Sequence, residues 1–127
     1  MIHYPDSADL QKILDWKGTA RELAEFVVQI WCYENYATFR PMETREQLFD
    51  ADGNISSEIV ENFVELNLVT GGWSGNEDIV DNLKKTMFHS MYWYMSQAGG
   101  LHVYRVTENL IDNKNVDWGQ IIRKETE

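Results

Sequence analysis

Thr70-Gly71-Gly72-Trp73-Ser74-Gly75-Asn76-Glu77 leads into an aromatic-rich run that closes at Gly99-Gly100, and the reading of this stretch decides the fold. Ser74 and Glu77 have the Ser-x-x-Glu spacing of a capping box, in which each side chain accepts a hydrogen bond from the other residue's backbone N–H. The spacing predicts a helix beginning near Gly75. Val80, Leu83, Met87, Met91 and Met95 then recur at three and four residues, one buried helical face that Ile79, Phe88 and Tyr92 widen. Thr86 is a second candidate N-cap after Lys84-Lys85, so Gly75 to Ala98 reads as one helix or two. Gly99 or Gly100 in the left-handed conformation closes it. Leu101 to Val106 alternates as a strand, with Leu101, Val103 and Arg105 on one side and His102, Tyr104 and Val106 on the other. Its partner is Met1 to Tyr4, Leu66 to Thr70, or a strand of another molecule.

Working outward, Ser7 is a candidate cap for a helix through Trp16, and Thr19 with Glu22 forms another capping box. The second helix carries Leu23, Phe26, Val27, Ile30 and Trp31 at helical spacing and is expected to reach about Ala37. Arg40-Pro41 ends it, because the residue before proline is pushed out of helical geometry. Glu43 to Phe49 reads as a short helix, followed by the turn Asp50-Ala51-Asp52-Gly53-Asn54. As a calcium loop this turn fails, since Leu48 and Ile59 fall where the first and last carboxylates belong. Ser56 then caps an expected helix with Ile59, Val60, Phe63 and Val64 inward and Glu58, Glu61 and Glu65 on an opposing stripe. Like charges four apart cost about 0.2 to 0.5 kcal/mol per pair, so such a stripe favours a docking role. Asp117 to Lys124 reads as a last helical turn with Trp118, Ile121 and Ile122 inward. The fold expected is a single α+β domain over residues 1–127, mainly α. It has four to six helices and a short strand or small β element near the C-terminus.

With 127 residues, 43% of them hydrophobic, the chain supports one core. No apolar run approaches the roughly 20 residues that span a bilayer, and the first residues lack a signal-peptide pattern, so a cytoplasmic protein without membrane contact is expected. A single cysteine, Cys32, forms no internal disulfide. The net charge of −10 is unevenly spread: between Glu43 and Asp81 ten carboxylates are opposed only by Arg45. Direct nucleic-acid binding, which needs clustered Lys and Arg, is argued against. A docking surface for a basic partner fits that field.

Motifs for catalysis and cofactors are absent. The glycine-rich turn lacks the Gly-Lys-Ser/Thr ending of a P-loop, and Glu77 and Asp78 repel a phosphate there. Ser74 does not sit in a Gly-x-Ser-x-Gly elbow. His3, His89 and His102 have no metal-ligand spacing. Trp73, Trp93, His102 and Tyr104, with His89, are candidates for an aromatic ligand pocket, with core packing as the alternative use.

Thr70 to Glu77, then Met87-Phe88, Tyr92-Trp93, Ser96 and Gly99-Gly100 before a strand, resembles a set of small phage and bacterial proteins over the span Thr70 to Val106. No activity attaches to that set. The resemblance implies a small phage accessory protein that binds host machinery. The leading expectation is therefore a non-enzymatic acidic binding protein, a phage-encoded inhibitor of a host defence or nucleic-acid enzyme. It would present Glu58, Glu61, Glu65, Asp50 and Asp52 to a basic protein surface such as that of a nucleic-acid-binding host enzyme. The alternatives are a small-ligand module built on Trp73, Trp93, His102 and Tyr104, and a homo-oligomer joined through Leu101 to Val106.

Overall fold

The computed structural model describes residues 5–121. Helices α1 (Ser7–Leu14) and α2 (Ala20–Ile30) come first, followed by a 3-10 helix at Glu34–Tyr36 and the long strands β1 (Ala37–Phe49) and β2 (Ile55–Val69). Next come α3 (Ser74–Leu83), α4 (Met87–Tyr92), β3 (Trp93–Gln97) and β4 (Leu101–Thr107). The strands form one antiparallel sheet in the order β1-β2-β4-β3. This corrects the expectation of a mainly α domain. Among the described residues four α-helices stand beside a four-stranded sheet, and the fold is mixed α/β, not helical.

Two segments expected to be helical, the one after Pro41 and the one after Ser56, are the strands β1 and β2. The pairs Ile59-Val60 and Phe63-Val64 imitate one helical face. Alternation marks a strand only where one face is buried and the other wet, and residues 45–62 are exposed on both faces. Pro41 does not end a helix; it sits in the edge strand β1, where proline is tolerated.

The segment from Gly75 to Ala98 breaks twice. Thr86 caps α4, its Oγ1 accepting from the His89 N–H at 3.2 Å. That helix ends at Tyr92, and the chain continues as β3. Gly99 and Gly100, at φ +102° and +95°, turn β3 into β4 and do not close a helix. A Cβ on Gly100 would overlap Thr70 Oγ1, so both the handedness and the space there require glycine. β4 pairs with residues 63–69 of β2 and, on its other side, with β3. Met1 to Tyr4, the other strand partner considered, lies outside the described residues.

Capping followed the sequence at α2 and α4 and departed from it at α1 and α3. Thr19 and Glu22 form the expected box on α2. α1 is capped by Asp6 and Asp9, one residue ahead of Ser7. α3 starts at Ser74 itself, with Trp73 in the cap position and no side-chain cap, so the Ser74–Glu77 box does not form.

The helices pack on the sheet face that carries Val64, Leu66, Leu68, Tyr104 and Val106, and the core is closed by Ile111 and Trp118. Asn76, fully buried, joins the layers. Its Oδ1 accepts from the Cys32 N–H at 2.7 Å, and its Nδ2 donates to the carbonyls of Cys32 at 3.1 Å and Thr70 at 3.2 Å. This is why α2 stops at Ile30 and not near Ala37. Cys32 is drawn out of the helical ladder, and Tyr33, at φ +68°, redirects the chain. No helix forms over residues 117–121, and the remainder of the expected turn to Lys124 lies outside the described residues. Trp118 is inward as expected, but Ile121 is 45% exposed, and Ile122 lies outside the described residues. The run 118–121 is stitched to the body by backbone bonds to Leu14, Lys85, Met87 and Phe88.

Candidate functional site

Beyond Phe63 the sheet narrows to a ribbon. β4 reaches only to Phe63, so residues 43–49 of β1 and 55–62 of β2 pair with each other alone among the described strands. At about 3.3 Å per residue this arm extends roughly 20 Å past the three-stranded part. Its turn is built by Asp50, whose Oδ1 accepts from the N–H groups of Asp52 at 2.9 Å and Asn54 at 3.0 Å, and by Gly53 at φ +84°. That arrangement needs no metal, and no group of three or more His, Cys, Asp or Glu side chains among the described residues is placed to hold one.

An isolated two-stranded ribbon is marginal in water, yet this one exposes Met42, Leu48, Phe49, Ile55, Ile59 and Val60. Phe49 and Ile55, at the tip, keep 61% and 56% of their surface. The register sorts the side chains. Glu43, Arg45 and Gln47 share one face with Glu58, Val60 and Asn62; Met42, Thr44, Glu46 and Leu48 share the other with Ser57, Ile59, Glu61 and Phe63. On the first face Arg45 bonds to both Glu43 and Glu58, neutralising much of its charge. On the second, Glu46 and Glu61 form no ion pair with another described residue, and they flank the apolar row Met42, Ile59 and Leu48.

The carboxylates named from the sequence are thus divided. Glu58 points away from Glu61 and Glu65, so the single acidic helical stripe expected from the sequence does not exist. Glu65 lies on the three-stranded part, 3.4 Å from Arg105 Nε and bonded to Asn67. Arg105 in turn lies over the rings of Phe63 and Tyr94. Asp50 and Asp52 form the tip.

No family model, curated protein or solved structure matches this chain.

A second concave region lies between α3 and the β3–β4 hairpin. It is a cavity of about 190 Å³ lined by Glu77, Asp81 and Lys84 on one helical stripe and by Thr70, Gly100 and His102 opposite. His102 Nδ1 is 2.8 Å from Ser96 Oγ, which accepts from the Trp93 indole N–H at 2.9 Å. His89 Nδ1 is 2.7 Å from the Tyr104 hydroxyl. Of the four aromatic candidates, His102 lines this cleft, Trp93 is joined to it through Ser96, and Tyr104 is fully buried and bonded to His89. Trp73 lies elsewhere, edge-on to Tyr33 at 4.9 Å. Sequence reasoning missed Lys84 and Asp81, which the packing of α3 on the hairpin brings to His102, and Ser96, which the β3–β4 register sets opposite it. The arm had one local signal, the hairpin-turn pair Asp52-Gly53, followed but not preceded by β-branched residues.

Both imidazoles are held neutral. Desolvation by burial lowers each below the ordinary 6.5, with Lys84 adding to the effect; for His102, Asp81 and Glu77 pull the other way. Burial pushes the Tyr104 phenol upward, so its hydroxyl stays protonated beside His89 Nδ1. The unfolded chain binds more protons than the native one from pH 6.5 downward, so stability from this pair is full above 6.5 and declines as the pH falls. Thermal midpoints measured across that range should drop on the acid side, with a shallower drop in His89→Gln.

Proposed function

We propose that the chain is a non-enzymatic binding protein that docks through the outer face of its arm onto a basic protein surface holding an apolar groove. The observation that carries this reading is the ribbon itself. It is a two-stranded projection, exposed on both faces, with apolar side chains rowed between carboxylates that have no counter-ion among the described residues. Residues 42–62 hold six carboxylates and one guanidinium, which is half of the net charge of −10. Such a field steers a cationic partner and opposes pairing with a second copy of the same arm. Desolvation of Ile59, Leu48 and Phe49 would supply the affinity that exposed charges do not. No helix among the described residues is long and apolar enough to cross a membrane.

The test begins with a photo-crosslinking residue at position 59 in source cells, followed by titration of the purified adduct partner. Glu46→Lys with Glu61→Lys should cut the association rate about tenfold at low salt and flatten its salt dependence, whereas Glu58→Lys should do much less. Ile59→Asp should abolish capture while shifting stability by under about 0.5 kcal/mol, as expected for an exposed position. Equal binding by all these variants would remove the arm from the function.

A further inference from the structure

We propose that the cleft between α3 and the β3–β4 hairpin is a binding site for a small zwitterion of the α-amino-acid class, independent of the docking arm. Glu77, Asp81 and Lys84 follow one another on one face of α3, and no ion pair joins either carboxylate to the lysine among the described residues. Within about 190 Å³ the cleft thus holds both signs of charge with neither cancelled by direct contact.

At the hairpin, Ser96 Oγ accepts from the Trp93 indole N–H and keeps a hydrogen and a second lone pair, so it bonds His102 Nδ1 in either tautomer of the ring. Lys84 is a donor, and Glu77 and Asp81 are acceptors. A simple anion meets two carboxylates; a simple amine leaves Lys84 without an acceptor. A ligand bearing an ammonium and a carboxylate a few ångströms apart answers both.

Asp81 and Lys84 lie three residues apart, about 4.5 Å along the helix axis, a separation suited to the two charged groups of an α-amino acid. The cavity falls below the roughly 300 to 1,000 Å³ of sites for drug-sized molecules, so a ligand of that class, with a compact side chain, fits. The groups facing His102 are Glu77, Asp81 and Lys84 from α3, His89 from α4 and Ser96 from β3. Protonation of the imidazole on acidification adds positive charge and should weaken the hold on the ligand's ammonium.

Imidazole resonances of His89 and His102, followed by NMR in the full-length protein, read out the site directly. Each standard amino acid is titrated beside the amine and the carboxylate that match its side chain. Saturable shifts at His102 are expected for at least one amino acid with a Kd below about 1 mM, the single-charge analogues binding about tenfold more weakly or worse. Asp81→Asn and Lys84→Met, both at exposed positions, should each weaken that binding about tenfold with unchanged thermal midpoints. Absence of saturation by every amino acid at about 10 mM would overturn the proposal. So would an alkylamine that binds as tightly as the amino acid, or affinity unaltered in both variants.

Discussion

Replacing Asn76 by Leu should cost about 3 to 5 kcal/mol, because it leaves the Cys32 N–H and the carbonyls of Cys32 and Thr70 buried without their partner. Each stranded group costs roughly 1 to 3 kcal/mol, with some relaxation of the loops. Asn76→Asp separates the two halves of the bond set. A carboxylate still accepts from the Cys32 N–H but confronts both carbonyls with acceptors, and it buries a charge. Burial raises the pKa of such a carboxyl above its unfolded value. Its protonated form is therefore the one the native state favours, and stability should recover as the pH is lowered through that raised pKa. Urea midpoints followed by tryptophan fluorescence at neutral and acid pH will measure both variants. A midpoint unchanged in Asn76→Leu would mean that these three bonds do not hold the loops together.

Trp118→Ala is the second large effect, expected at about 3 to 5 kcal/mol for a fully buried aromatic truncated in a core. Trp118 stacks on Tyr92 at 5.1 Å and anchors a run that has no regular secondary structure of its own. Its carbonyl accepts from the Phe88 N–H at 3.4 Å, Gly119 from Met87 at 2.8 Å, and the Gln120 N–H donates to Leu14 at 2.8 Å. Loss of the ring should free this run and with it the contact between the end of α1 and the start of α4. Trp118→Phe should cost far less, about 1 to 2 kcal/mol, because the indole N–H finds no hydrogen-bond partner among the described residues and its removal forfeits no bond. Equal losses in the two variants, read from denaturant midpoints at constant slope, would assign the stability to the indole nitrogen and not to ring packing.

The Ser74–Glu77 box excepted, local rules mostly succeeded where a few neighbouring residues contain both partners. The Thr19–Glu22 box, the Thr86 cap, the turn at Asp50 to Asn54 and the alternation of Leu101 to Val106 are such cases. They failed along the arm, where the two strands lack a buried face and so lack the pattern that reveals a strand. They failed again from Trp93 to Gln97, where helical spacing continues through Met95 but β4 offers a backbone edge to pair with. The acidic region was legible as composition. Its division into a face neutralised by Arg45 and a face left charged follows from the register of β1 against β2.

By itself the chain's order of residues determined a one-core protein with its charge massed in the middle third, three capping or turn motifs and one alternating strand. All of these are consequences of contacts within a few residues. Tertiary structure alone decided that six of the ten carboxylates of that third sit on a projecting ribbon, that α2 yields Cys32 to Asn76, and that His102 meets Asp81 and Lys84. Those outcomes depend on backbone groups and side chains far apart in sequence competing for the same hydrogen bonds, a competition that no local pattern encodes.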